Sequence, residues 1–272
     1  MTDLSTLADA VSTVAAEAGR LMRNGMGDRH ASRSKGRFDV QLDADLDSEN
    51  AIVPRLRRLV PGSEVSSEEM GGPVDWNKPD VWIVDPLDGT NNYFAAVPYL
   101  AISIGFRRDG KLVLAVVRDP VLENSYRARL GCGAEKDGVP LFPGPGKDVN
   151  RATVSLITDY SPAGRQAGEV LYLKLNSVAR RVTTLWAPAA DLVRVATGHM
   201  DAIVCVRAGY GDVCSGLLIL AEAGGVILDR NGKDLDVANL DPGGPVSFIA
   251  AASRDTAMKL REEIREEFDC YA

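Results

Sequence analysis

The chain has 272 residues, 45% hydrophobic and 25% charged, with a net charge of −7. That length holds a sizeable core in one large domain or two packed halves, and the acidic balance argues against nucleic acid polymers and anionic membranes as partners. No apolar run approaches the ~20 residues of a membrane span, and no basic stretch followed by an apolar one opens the chain as a secretion signal would. The four cysteines, Cys132, Cys205, Cys214 and Cys270, have no C-x-x-C spacing, so a reduced, cytoplasmic protein without membrane contact is expected. With only His30 and His199, chemistry built on histidine bases or histidine metal ligands is disfavoured, and both are expected to be solvated.

In chain order, Leu4, Leu7, Val11, Val14, Ala18 and Met22 recur at helical spacing and predict an amphipathic helix with one core-facing side. Residues 25–37 are polar and basic and read as a loop. Residues 39–60 begin acidic and continue with Ile52, Val53, Leu56 and Val60 at helical spacing, a helix ended by Pro61-Gly62. Ser63–Ser67 is a short strand, 71–80 a loop and Val81–Val84 a buried strand. Leu100–Arg107 and Lys111–Arg118 are strands of a hairpin turned at Asp109-Gly110, and Glu123–Leu130 and Gly133–Gly138 continue the antiparallel pattern. Leu141–Asn150 is a Pro/Gly linker, which predicts an N-terminal α+β half over 1–145 and a C-terminal α/β half over 146–272. In that second half, strands at 152–158, 182–186, 201–206, 225–229 and 246–251 interleave with helices at 165–178, 188–198 and 213–223, closed by a charged helix over Arg254–Phe268.

The chemistry concentrates at Asp85-Pro86-Leu87-Asp88-Gly89-Thr90. Pro86 keeps Asp85 extended, Gly89 permits a tight turn or a close approach to the backbone, and two carboxylates three residues apart stand at a strand end. Oxygen ligands of this kind suit hard divalent cations, and backbone N–H groups beyond them suit a phosphate. Other acids join in order: Asp39, Asp43, Asp45, Asp47 and Glu49, of which Asp45 and Glu49 share a helix face; Glu68-Glu69 at a strand end, where one of the two can face a site; and Asp212 before an apolar helix, the position of an N-cap.

This series resembles the inositol monophosphatase superfamily over nearly the whole chain. Asp39–Glu49 is similar to its D-x-V-T-x-x-D-x-x-x-E stretch, Glu68-Glu69 to its G-E-E, Asp85–Thr90 to D-P-[IL]-D-G-T with Asn92 beyond it, Val193–Asp201 to V-A-T-G-x-x-D, and Asp212 to the acid of W-D-x-x-[AG]. Ser67 replaces a Gly and Gly211 the Trp, and Cys214 follows Val213 beyond the Asp. The resemblance implies a layered αβαβα sandwich, lithium sensitivity, a homodimer, and two or three Mg²⁺ per site, with Mn²⁺ as a substitute. It implies Glu68, Asp85 and the Leu87 carbonyl around one ion and Asp85, Asp88 and Asp212 around another. Thr90 and Glu68 would position the attacking water with Asp45 close by, and Gly89, Thr90 and Asn91 would receive the phosphate.

The reaction implied is hydrolysis of a small phosphorylated sugar or cyclitol. The alternatives are a fructose 1,6-bisphosphatase or 3′-phosphoadenosine-type phosphatase, for which Arg165, Arg194 and Arg207 are the candidate basic groups, and a non-catalytic regulator of the same fold. A P-loop enzyme is excluded, because Gly144–Lys147 is too short for G-x-x-x-x-G-K-[ST]. In inositol-specific members an acid seven residues before the motif Asp binds substrate hydroxyls. Here that position is Cys205, whose thiol is a weak donor, so weak inositol recognition is expected.

Overall fold

The computed structural model describes residues 3–26, 32–34 and 40–272; His30 and Asp39 lie outside them. Helix α1 (Leu4–Gly25) is capped by the Asp3 carboxylate, which accepts from the N–H groups of Ser5 and Thr6. Part of the predicted loop forms strand β1 (Ser32–Ser34), antiparallel to β2 (Val40–Leu42), so helix α2 (Asp43–Leu59) starts later than its acidic lead suggests.

A seven-stranded sheet follows, in the order β3 (Glu64–Ser67), β4 (Asp80–Asp88), β5 (Ala101–Arg108), β6 (Lys111–Asp119), β7 (Asn124–Arg129), β8 (Ala134–Lys136) and β9 (Val139–Pro140). All its pairings are antiparallel except β3 with β4, a departure from the antiparallel expectation. The hairpin between β5 and β6 turns on Asp109 and Gly110, both at positive φ (51° and 78°), as a two-residue turn of mirror-image type requires. A short helix, α3 (Thr90–Phe94), leaves the end of β4 and has no counterpart among the predicted elements.

The second sheet has the order β11 (Arg181–Thr183), β10 (Thr153–Thr158), β12 (Ala202–Ala208), β14 (Val246–Ala251), β13 (Val226–Leu228), mixed parallel and antiparallel. Its helices are α4 (Pro162–Val178), α5 (Pro188–Ala196), α6 (Tyr210–Glu222), α7 (Arg254–Glu263) and α8 (Arg265–Tyr271). The single closing helix expected over 254–268 is two, broken at the buried Ile264. The strand expected over 182–186 ends at Thr183, and Trp186 lies in the left-handed region at φ 51°.

Three apolar cores stack these elements into five layers. Trp82, Val84, Ile102 and Ile104 of the first sheet pack on α1 and α2 through Val11, Ile52 and Leu56. Ile83, Ala115 and Val117, on the opposite face, pack on α5 and α6, which meet Ile203, Phe248 and Ala250 of the second sheet on their far side. Val204, Leu156 and Ile249 then face α4, α7 and α8 through Leu171, Leu260 and Phe268. The result is an αβαβα sandwich. Strands covered on both faces read as unbroken apolar runs, which is why Val81–Val84 carries no alternation.

Candidate active site

The C-terminal end of β4 opens into a cavity of about 160 Å³ whose wall includes Glu68, Asp85, Leu87, Asp88, Gly89, Thr90, Asn91 and Asp212. Residues three apart on a regular strand face opposite sides. Here the pairing of β4 with β5 shifts register between Asp85 and Asp88, where Pro86 stands, and both carboxylates reach the same cavity. The Pro86 carbonyl accepts from buried Ser48 Oγ at 2.8 Å, which pins the irregularity to α2.

Each acid has a fixed setting. Asp85 Oδ1 accepts from Leu87 N–H at 3.0 Å, and Asp88 Oδ2 from Ala190 N–H at 2.9 Å, across the interface with α5. Glu68 directly follows β3, and its N–H donates to the Val84 carbonyl at 3.2 Å; it lines the cavity and Glu69 does not. Asp212 is the third residue of α6 rather than its N-cap, and its Oδ2 accepts from Gly209 N–H at 3.2 Å. Gly89 adopts φ 92°, and a Cβ there would sit 3.0 Å from the Tyr99 carbonyl, so glycine is needed for both conformation and space. Thr90 Oγ1 lies 3.0 Å from the Leu87 carbonyl and 3.2 Å from Asp45 Oδ1. Asp45 is fully buried on α2, behind Thr90 rather than on the cavity wall, and one turn further Glu49 accepts from Ser67 Oγ.

Burial raises the Asp85 carboxyl well above the usual range, and the charges of Glu68, Asp88 and Asp212 push it further. Burial does the same to Asp88, with Asp191, Asp212 and Glu68 adding repulsion against the lowering effect of the Ala190 N–H. Among the described residues, no three acidic, His or Cys side chains close into a ligand cluster as they stand. The carboxylates share a cavity and repel one another across it without converging on one point. A set of oxygen donors in this state suits a hard cation, which would relieve that repulsion; Glu68, Asp85, Asp88, Asp212 and the Leu87 carbonyl are the groups placed to hold one.

Among the described residues, no Arg or Lys lines this cavity. Arg194 pairs with Asp119 at 2.6 Å, Arg207 with Asp159 at 3.1 Å, and Arg165 lines a neighbouring cavity. Cys205 does not line the cavity either. It is fully buried, 4.0 Å from the Val246 carbonyl, and an irregularity of β12 between Cys205 and Ala208 brings Ala208 and Gly209 to the wall instead. At Gly211 a Cβ would meet only Ile83 at 3.8 Å, while Trp76 stacks edge-on against adjacent Tyr210 at 6.0 Å. His199 is exposed and contacts Thr197 Oγ1 at 2.8 Å, as a solvated histidine should.

Sequence reasoning passes over the far wall: Thr158 at the end of β10, Asp159 and Tyr160 after it, and Trp186 before α5. It also passes over Asp191, fully buried on α5, which accepts from Tyr99 Oη and Ser155 Oγ, each at 2.6 Å. Neither group sits in a spacing that distinguishes it from an ordinary loop or a helix first turn.

The profile of the inositol monophosphatase family matches residues 3–268. A fructose-1,6-bisphosphatase/inositol-1-monophosphatase of Thermococcus kodakarensis is 33% identical over 84% of this chain and 84% of its own. The Nus factor SuhB of Xylella fastidiosa is 31% identical over 85% of this chain and 83% of its own. The crystal structure of the extragenic suppressor protein suhB from Bartonella henselae superposes with a TM-score of 0.84 at 22% identity, covering 96% of this chain and 99% of that one, a likeness of fold. The layered sandwich, the acids at the end of β4 and the match along the chain place this protein in the inositol monophosphatase family, phosphatases of phosphate monoesters.

Proposed function

We propose that the protein is a Mg²⁺-dependent phosphomonoesterase acting on a small phosphorylated metabolite, with the phosphate bound at the carboxylate end of the cavity. The observation that carries this reading is the lining itself: Glu68, Asp85, Asp88, Asp159 and Asp212, with no basic side chain among the described residues. An anionic substrate is repelled from such a wall unless divalent cations occupy it. Bound there, such cations would neutralise charge on the phosphoryl group and make water a competent nucleophile. Glu68, Asp85, Asp88, Asp212 and the Leu87 carbonyl would hold them. Thr90 Oγ1, within reach of Asp45 Oδ1, can pass its proton toward that carboxylate while accepting one from the attacking water, which Glu68 orients from the other side. Backbone N–H groups at Gly89, Thr90 and Asn91 would receive the phosphate oxygens.

Where β12 meets the cavity, Ala208 and Gly209 offer no carboxylate for substrate hydroxyls, which supports weak recognition of an inositol ring. The bisphosphate reading loses Arg194, which pairs with Asp119, whereas Arg207 pairs with the wall residue Asp159 and Arg165 lines the neighbouring cavity. The test is phosphate release from a panel of phosphomonoesters with Mg²⁺ and with excess EDTA. Turnover only with the metal, inhibited by Li⁺, is expected; full activity in EDTA would refute the reading.

A further inference from the structure

We propose that Trp76 is a positioning residue of the cation site: it latches the loop that carries Glu68 onto the first turn of α6, which carries Asp212, and so holds these two acids at one spacing. This rests on the cation reading of the site given above.

The first observation is the layout of the chain. Glu68 and Asp212 line the same cavity, yet Glu68 belongs to the connection between β3 and β4 and Asp212 to the first turn of α6. That connection is tied to the first sheet at its two ends, where Glu68 N–H donates to the Val84 carbonyl at 3.2 Å and Asp109 N–H to the Pro79 carbonyl at 2.7 Å. Between those ends most of it is exposed. Its middle closes a turn on Asp75, whose Oδ1 accepts from Asn77 N–H at 3.1 Å and whose carbonyl accepts from Lys78 N–H at 3.2 Å. Within that turn the half-buried Trp76 packs inward, on the middle core.

The second is what Trp76 meets there. Its ring stands edge-on to that of Tyr210, with 6.0 Å between centroids and 89° between planes. Tyr210 is buried and lies two residues before Asp212. Gly211, between the two, brings no side chain of its own. An edge-to-face pair has a preferred geometry, so it fixes a relative position as well as burying area.

The third is charge. Arg107 on β5 is 8% exposed, and its guanidinium lies 5.7 Å from the centroid of the Trp76 ring and 5.9 Å from that of Tyr210. Nε and Nη2 donate to the Gly110 carbonyl, while Nη1 is buried with no hydrogen-bond partner, as is Tyr210 Oη. The two aromatic rings stand against that buried charge, an attraction that grows with desolvation. Loop, sheet and helix therefore meet in one cluster. Trp76, Arg107 and Tyr210 do not line the cavity, so the cluster acts on it through the chain, by way of Glu68 and Asp212.

The experiment measures Mn²⁺ binding without substrate, by electron paramagnetic resonance of the free ion, in the wild type, Trp76→Ala, Trp76→Phe, Tyr210→Leu and the Trp76→Ala/Tyr210→Leu double variant. Trp76 sits in a largely exposed loop, so its variants are expected to fold, which circular dichroism checks. Loss of a support behind metal ligands typically costs roughly 10–100-fold in affinity, so Trp76→Ala is expected to bind Mn²⁺ at least about tenfold more weakly and Trp76→Phe to recover most of that loss. The double variant is expected to be no weaker than the weaker single one, since both substitutions remove the same contact. The Mg²⁺ concentration for half-maximal turnover should rise by the same factor in Trp76→Ala, with kcat at saturating Mg²⁺ changing less. Unchanged Mn²⁺ affinity in Trp76→Ala, no recovery in Trp76→Phe, or losses that multiply in full in the double variant would each overturn the latch. A wild type that binds Mn²⁺ but releases phosphate from no ester overturns the phosphatase reading alone, and the Mn²⁺ isotherms still decide the latch. A wild type that binds no Mn²⁺ overturns the cation reading. Hydrogen exchange without metal then decides the latch: faster exchange of the α6 amides at 213–216 in Trp76→Ala supports it, and unchanged exchange refutes it.

Discussion

Replacing Asp191 by asparagine should change how stability depends on pH. Asp191 is fully buried, and burial raises its carboxyl to about 6 from 3.8, against the lowering effects of Ser155, Tyr99 and Arg194. A carboxyl raised on folding contributes stability that is fully present below about pH 4 and is lost as the pH rises through about 6. The separation is about two pH units, so ionisation costs the native state ~3 kcal/mol by pH 8 at 1.36 kcal/mol per unit. In Asp191→Asn the new amide would be nearly isosteric with the carboxyl, accepting from one hydroxyl and donating to the other, and it cannot ionise. The substitution also removes a charge that repels Asp88, which acts in the same direction. Urea denaturation of both proteins from pH 4.5 to 8, without metal, should show the variant gaining ~2–3 kcal/mol on the wild type across that window. Stability curves that stay parallel from pH 4.5 to 8 would refute the assignment of a buried, proton-linked Asp191.

Asp88→Asn should keep the fold, because an amide oxygen can still accept from Ala190 N–H, and it should lower Mg²⁺-dependent turnover by orders of magnitude; circular dichroism and phosphate release read the two effects. Thr90→Ala should cost about 10²–10⁴ in kcat, and Thr90→Ser should recover most of it, since only the hydroxyl facing Asp45 is needed. Gly216→Ala should destabilise the protein by ~1–3 kcal/mol in denaturant, because its Cβ would lie 2.7 Å from Leu192 Cβ where α6 crosses α5.

Most of the framework is legible in the sequence because burial writes it there. Strands of a two-faced sheet appear as apolar runs, and α1 and α2 appear as single stripes, since only one side of each meets a core. The acids of the site are legible because Pro86 and Gly89 bracket them with backbone constraints. What escapes is what depends on one residue of slippage. The register shift at Asp85–Asp88, which brings both acids to one side, leaves no periodic trace, and neither does the bulge after Cys205 that precedes Ala208 on the cavity wall. Ala257, Leu260, Ile264 and Phe268 keep helical spacing straight through the break at Ile264, so periodicity cannot see it. The far wall escapes for another reason. Tyr160 and Trp186 sit in connections, where position is set by the two elements that each loop joins rather than by any local pattern.

Asp85 and Asp88 end a strand of the first sheet, while Asp212 rides on a helix of the middle layer that follows a strand of the second. The acids therefore come together at a seam, and neither side carries the whole set. A chain divided within the 141–150 connection would leave Asp212 on a different fragment from Asp85, so cation affinity would report reassembly of the pieces, not the folding of either. The same geometry makes the site a strain gauge for the middle layer. A change that slides α6 by a fraction of an ångström, far from any substrate, would be felt at the acids while both sheets stayed fully formed.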